Sequence, residues 1–160
     1  MKIRGRVWKF GDGVNTDLIL PGRYLDLTDP EEMARHVMEG LDQDFPMKVE
    51  RGDIIVAGRG FGSGSSREHA ALALKHAGVS AIIAESIARI FFRNAINVGL
   101  PAIECPGITD IVEEGENLEI DLEEGIAYNP ERGLRIEFKP LPEFLLNILR
   151  AGGLIPYIRG

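Results

Sequence analysis

The 160-residue sequence holds a single cysteine, Cys105. One thiol forms no internal disulfide, and alone it holds neither an iron–sulfur cluster nor a structural zinc site. The three histidines, His36, His69 and His76, show no metal-ligand spacing. Positive charge is also in deficit: 18 Lys and Arg stand against 25 Asp and Glu, a net charge of −7. Nucleic-acid binding would then need a local basic patch, and none is visible. No apolar run nears the length that crosses a bilayer. The opening MKIRGRVWKF lacks the apolar core of a secretion signal. The expected location is the cytoplasm, with neither nucleic acid nor membrane as a partner. A hydrophobic share of 44% is ordinary for a globular chain. The length gives one domain, 1–160, able to bury about two thirds of its extended surface.

Gly and Pro divide the chain into short elements. KIRGRVWKF alternates as a strand, with Ile3, Val7 and Phe10 as candidate core positions. FGDGVNTD is a turn-rich loop, and LILPGRYLDL fits neither helix nor strand. TDPEEMARHVMEG reads as a helix, capped by Thr28 or Asp29, with Pro30 in its first turn. DIIVAG, SAIIAE and LPAIEC are short apolar runs of the kind buried on both faces of a parallel sheet. The helical patterns REHAALALKHAG and SIARIFFRNAINVG lie between them, so the middle is a parallel β/α core. ENLEIDL, GIAYN and LRIEF alternate between tight turns, as antiparallel strands do. LPEFLLNILRAGG closes as a helix, followed by a short apolar tail.

Chemistry concentrates in GRGFGSGSSREHA, residues 58–70. Gly58, Gly60, Gly62 and Gly64 permit close backbone approach to a ligand. The segment joins a buried strand to a helix start, where free N–H groups and the helix dipole favour an anion. Arg67, expected in the first helical turn, offers a two-point hold on a carboxylate. Ser65 and Ser66 place two hydroxyls at the same mouth. These residues suit a small carboxylate beside a hydroxyl able to transfer a proton. Ser65-x-x-Glu68 reads equally well as a capping box. The dinucleotide spacing GxGxxG fails, and no Gly-Lys-Ser/Thr ending makes a P-loop. Elsewhere, Asn15 and Thr16 read as residues bonding to their own turn. Cys105 reads as a small buried hydrophobe, and His36 and His76 as surface positions.

GSGSSREHA, with VNTDLI upstream and ARIFFRNAINVGLP downstream, resembles the swivelling domain of the aconitase superfamily. Within it, the nearest likeness is to the separate small subunits of isopropylmalate isomerases and homoaconitases. The resemblance implies a hydro-lyase that is active only with a large subunit. The reaction dehydrates a 2-hydroxy acid to an alkene and rehydrates it with the hydroxyl on the neighbouring carbon, as between 2- and 3-isopropylmalate in leucine biosynthesis. It implies a [4Fe–4S] cluster in the large subunit and no cofactor in this chain. By position, Ser65 matches the catalytic base, acting as an alkoxide. Ser66 and Arg67, beside Gly64, match residues that hold a substrate carboxylate. Asp17 matches an acid that pairs with a histidine of the large subunit.

Substrate choice points to LPGRYLDLTDP. Relatives that act on tricarboxylates place an arginine just after the Tyr-Leu pair. Here Tyr24 and Leu25 are followed by Asp26 and Leu27, so Leu27 is expected to touch an isopropyl group and Asp26 to repel a third carboxylate. Arg23, just before the tyrosine, is the remaining cation of the loop, either turned inward or left in solvent. The alternatives are a homoaconitase-type or methyl-malate dehydratase. From a different class, a non-catalytic carboxylate- or nucleotide-binding module would use residues 58–66 only as a cradle.

Overall fold

The computed structural model describes residues 1–65 and 67–160. In chain order the strands are β1 (Lys2–Lys9), β2 (Ile54–Ala57), β3 (Ala81–Ala84), β4 (Ala102–Glu104), β5 (Asn117–Asp121), β6 (Ile126–Asn129) and β7 (Leu134–Glu137). The helices are α1 (Thr16–Ile19), α2 (Pro30–Ala34), α3 (Phe45–Lys48), α4 (His69–His76), α5 (Arg89–Asn97), α6 (Glu143–Ala151) and α7 (Leu154–Arg159). Among the described residues the strands form one sheet in the order β4-β3-β2-β1-β5-β6-β7. β1 pairs in parallel with β2, through Trp8 and Ile55, and antiparallel with β5, through Ile3 and Ile120. The sheet is therefore parallel on one side of β1 and antiparallel on the other. The α/β class expected from the sequence is the one observed.

Side chains of β2 and β3 alternate between two cores, which is why both strands read as unbroken apolar runs. Ile55, Ala57, Ile82 and Ala84 face a cluster that includes Met33, Val37, Leu74 and Phe91. Ile54, Val56, Ala81 and Ile83 face the other, with Ile96, Leu146 and Leu149. Fully burying one such side chain is worth roughly 1.5–3 kcal/mol. The two cores thus fix the sheet between its covering layers.

Three local expectations need revision. The helix from TDPEEMARHVMEG ends at Ala34; Asp29 caps it through the Glu31 N–H at 3.0 Å. The chain then turns so that Met38 enters the core at φ 62°, its N–H on the Ile19 carbonyl at 2.7 Å. Core packing thus outweighs local propensity there. Further on, α4 begins at His69 with Glu68 as its N-cap and no side-chain cap bond, so Ser65 and Glu68 form no capping box. Arg67 precedes the helix rather than lying in its first turn. The apolar tail, finally, forms α7.

Candidate active site

β1 and β2 are adjacent and parallel, and the loops that follow them meet above their C-terminal ends, the usual place for ligands in such sheets. The two loops are laced together. Gly13 N–H donates to the Arg59 carbonyl at 2.8 Å, Gly62 N–H to Val14 at 2.7 Å, and Thr16 N–H to Ser63 at 2.8 Å. Asp12 Oδ1 accepts the Arg59 N–H at 2.7 Å. Ser86 Oγ accepts the Gly60 N–H at 2.9 Å from the loop after β3.

This lacing corrects one expectation. The amides of Gly58, Arg59, Gly60, Phe61, Gly62, Ser63 and Ser65 all donate within the domain, so they do not stand free to cradle an anion. Their role is to hold the serine in place. Gly62 shows how tightly: at φ 80° it lies against the Phe91 ring, which would be 2.8 Å at Cδ1 from an added Cβ and nearer still at Cβ and Cγ. Phe91 in turn meets Phe61 edge-on, with ring centroids 5.3 Å apart.

Above the laced loops opens a cavity of about 430 Å³ lined by Asp17, Gly64, Ser65 and Arg67, with Leu20 and Leu25 as its apolar wall. Four of the residues singled out from the sequence are thereby brought together. Another, Ser66, lies outside the described residues. Asp17 is held by its own turn: Asn15 caps α1 through the Leu18 N–H at 2.9 Å, and Asp17 Oδ1 accepts the Gly22 N–H at 2.9 Å. Arg67 is exposed and has no ion-pair partner among the described residues.

The loop expected to choose the substrate is arranged differently from that expectation. Leu27 packs against the core, and Leu25 lines the cavity instead. Arg23 is 69% exposed; it binds Glu39 at 3.0 Å and lies over the Tyr24 ring at 4.8 Å. Tyr24 stacks on His36, with ring centroids 3.9 Å apart, and His36 Nδ1 meets Glu39 at 3.1 Å. Burial opposes ionisation of Glu39, but Tyr24, His36 and Arg23 together hold its carboxyl below the usual range. The loop arginine is thus committed to Glu39, whereas the arginine beside the serines is not.

Other reactive groups stand apart from the cavity. Cys105 is buried, and burial with the nearby Glu85 carboxylate pushes its thiol up to about 11. It is therefore not a nucleophile at neutral pH. His76 meets Glu31 at 3.1 Å, so it and His36 are paired rather than loose surface groups. Among the described residues no three His, Cys, Asp or Glu side chains converge to hold a metal ion, and no helix is long and apolar enough to cross a membrane.

The residue missed by sequence reading is Thr16. It is buried, and its Oγ1 accepts the Ser65 N–H at 3.1 Å and lies 3.3 Å from Ser65 Oγ. Its only signal was an adjacency to Asn15 and Asp17 within one turn.

The family pattern described as the aconitase C-terminal domain matches residues 15–107, the segment that carries the serine loop and the parallel side of the sheet from β2 to β4. The chain belongs to that family. Its relatives include the 3-isopropylmalate dehydratase small subunit of Halothermothrix orenii, 59% identical over 160 residues, covering 100% of this chain and 97% of the relative. The isopropylmalate/citramalate isomerase small subunit of Methanocaldococcus jannaschii is 61% identical over 157 residues, covering 98% and 94%. A crystal structure of 3-isopropylmalate dehydratase from Methanocaldococcus jannaschii superposes with a TM-score of 0.93 at 48% identity, covering 99% of this chain and 94% of that one. Aconitase X of Thermococcus kodakaraensis, 20% identical with a TM-score of 0.53 over 87% and 91% of the two chains, shares the fold.

Proposed function

We propose that this chain is the small subunit of an isopropylmalate isomerase, a hydro-lyase that interconverts 2- and 3-isopropylmalate through the alkene when joined to its large subunit. The observation that carries the reading is the meeting of Ser65, Asp17 and Arg67 at one cavity, in a chain similar over its whole length to small subunits of that name. In this reading the location is the cytoplasm.

Ser65 Oγ, as the alkoxide, removes the proton from the carbon next to the carbinol. The C–H electron pair becomes the second bond of the alkene as the C–O bond breaks, and the departing hydroxyl takes a proton from an acid of the large subunit and leaves as water. Rehydration runs the same steps backwards with the hydroxyl on the neighbouring carbon. Arg67 and Ser66 hold a substrate carboxylate, and Gly64 allows it close to the backbone. Asp17 sits exposed at the rim, set to pair with a histidine of the large subunit. An iron–sulfur cluster in that subunit would supply the Lewis acidity that helps the substrate's hydroxyl depart. A serine is a base only where cations and hydrogen-bond donors stabilise its anion. Arg67 beside Ser65 supplies the cation.

The wall of Leu20 and Leu25, with Arg23 turned to Glu39, supports an apolar substituent rather than a third carboxylate. Leu25 takes the part first given to Leu27. The Methanocaldococcus jannaschii relative is named for citramalate as well, which favours a methyl-substituted malate as a second substrate. Reconstitution with the large subunit tests the reading. kcat/KM should be higher for 3-isopropylmalate than for cis-homoaconitate, and Ser65→Ala should abolish turnover while Tm stays within about 2 °C, since Ser65 caps no helix. A tenfold preference for the tricarboxylate would overturn the substrate, and near-normal kcat in Ser65→Ala would overturn the base.

A further inference from the structure

Three polar residues are buried among the described residues: Thr16, Asp53 and Asn129. Two of them serve the fold. Asp53 Oδ2 accepts Trp8 Nε1–H at 2.8 Å and the Glu50 N–H at 2.9 Å. Asn129 donates to the Ile111 carbonyl at 2.8 Å. Thr16 is spent differently. Its own N–H holds Ser63, its Oγ1 holds the Ser65 amide, and its hydroxyl lies against the Ser65 hydroxyl. It occupies the hollow of the serine loop so closely that a Cβ on Gly64 would stand 3.0 Å from Thr16 Oγ1.

We infer that Thr16 is a positioning residue for Ser65: it fixes the serine through its backbone amide and donates its O–H to the serine oxygen once that oxygen is ionised. This rests on Ser65 being the base. A threonine hydroxyl has one hydrogen and two lone pairs. The Ser65 N–H takes one lone pair, leaving the hydrogen free to point at Ser65 Oγ. While Ser65 is neutral, either hydroxyl serves as donor in that contact. An alkoxide only accepts, so ionisation of Ser65 makes Thr16 the donor. The bond also becomes charge-assisted, and such bonds are about twice as strong as neutral ones. The contact is therefore worth more with the base charged than with it neutral, which lowers the cost of forming the base. Thr16 itself is buried, so its hydroxyl has few partners other than Ser65.

Neighbouring residues of α1 and its cap divide the work. Asn15 caps the helix, Thr16 faces inward to Ser65, and Asp17 faces outward at the rim. The fixed order of the three follows from one helical turn presenting successive side chains in different directions.

The test uses the assembled two-subunit enzyme with Thr16→Val, which keeps the shape but loses the hydroxyl, and Thr16→Ser, which keeps the hydroxyl but loses the methyl. Thr16→Val should lower kcat by roughly 10–100-fold, below the loss for a short oxyanion-hole donor because the 3.3 Å contact is long. KM should stay within about threefold, because the Thr16 hydroxyl is turned to Ser65. The rising limb of kcat against pH should move to higher pH, an effect that simple loosening of the fold would not produce. Thr16→Ser should stay within a few-fold of the parent with an unmoved pH profile. Should Thr16→Val not fold, Thr16→Ala gives the same comparison. The inference is overturned if the hydroxyl-free variants keep kcat within threefold, if their pH profile does not move, or if Thr16→Ser loses as much as they do. Ser65→Ala measured alongside separates the two readings. If it is inactive while Thr16→Val is normal, only the present inference fails; if it is active, the assignment of the base fails first.

Discussion

Replacing Gly62 with alanine probes the seam between the serine loop and the core. Gly62 has φ 80°, in the left-handed region, where a Cβ costs about 1–2 kcal/mol. The added methyl would also press on the near end of Phe91, not on a movable tip. Phe91 is 2% exposed and wedged edge-on against Phe61, so it has nowhere to retreat. Overpacking of this kind costs about 1–3 kcal/mol, for a total near 2–5 kcal/mol. Gly60 supplies the internal control. Its φ is 74°, but a Cβ there meets nothing within 4 Å, so Gly60→Ala should cost only the conformational part. Urea melts of the two variants at equal m should place the Gly62→Ala midpoint about 0.3–3 M below that of Gly60→Ala, for m of about 1–3 kcal/mol/M. In the assembled enzyme Gly62→Ala should also lower kcat per folded molecule, because misplacing a reacting group by about 1 Å can cost on the order of 100-fold. Equal midpoints for the two variants would refute the packing argument and leave the backbone conformation as the whole effect.

Two further outcomes follow from the same geometry. Arg67→Lys should raise KM about tenfold with a smaller change in kcat, since lysine makes one charge-assisted contact where the guanidinium makes two; an unchanged KM in steady-state kinetics would remove Arg67 from substrate binding. Glu85 is partly buried, which opposes its charge. The N–H groups of Gly107 and Thr109, the Thr109 hydroxyl and the charge of Arg59 outweigh that and hold its carboxyl below the usual range. A carboxylate depressed in the folded state stabilises above its unfolded pKa, and that gain is lost as pH falls through the folded value. Glu85→Gln should therefore cost roughly 1–2 kcal/mol at pH 7, and the gap between the two denaturation midpoints should narrow as pH falls below the ordinary carboxylate range; a gap that does not change with pH would show that the effect is not ionic.

The parallel core was legible because IIVA and AIIA have no polar position to spare, a pattern that only two covered faces explain. The site was legible through one contiguous segment, GSGSSREHA, together with NTD. What escaped reading has physical reasons. α1 and α3 are single turns held by tertiary contacts, and four residues carry too little periodicity to announce themselves. Ser65 and Glu68 have capping spacing, yet the chain enters α4 later, because Ser65 is already bonded to Thr16 across the fold. Leu25 and Leu27 are equivalent by composition, and an irregular loop has no register to say which one faces the cavity. Asn15 does bond within its own turn, as its residue type suggests. Thr16 does not, and a hydroxyl's long-range partner has no trace in local sequence.

The position of β1 has a consequence for the order in which the chain is made. β1 precedes the other described strands in the chain yet lies in the middle of the sheet, and Ile3 must wait for Ile120. At about 5–20 residues per second, that wait is on the order of ten seconds. Throughout it, one edge of β1 stays open to any other nascent strand. The segment KIRGRVWK carries Lys2, Arg4, Arg6 and Lys9, and the first three are exposed in the finished fold. Lysine and arginine along an open edge discourage pairing between chains. Those cations would disfavour pairing of the open strand with another chain, so replacing them with neutral residues should leave the sheet unchanged but lower the soluble yield.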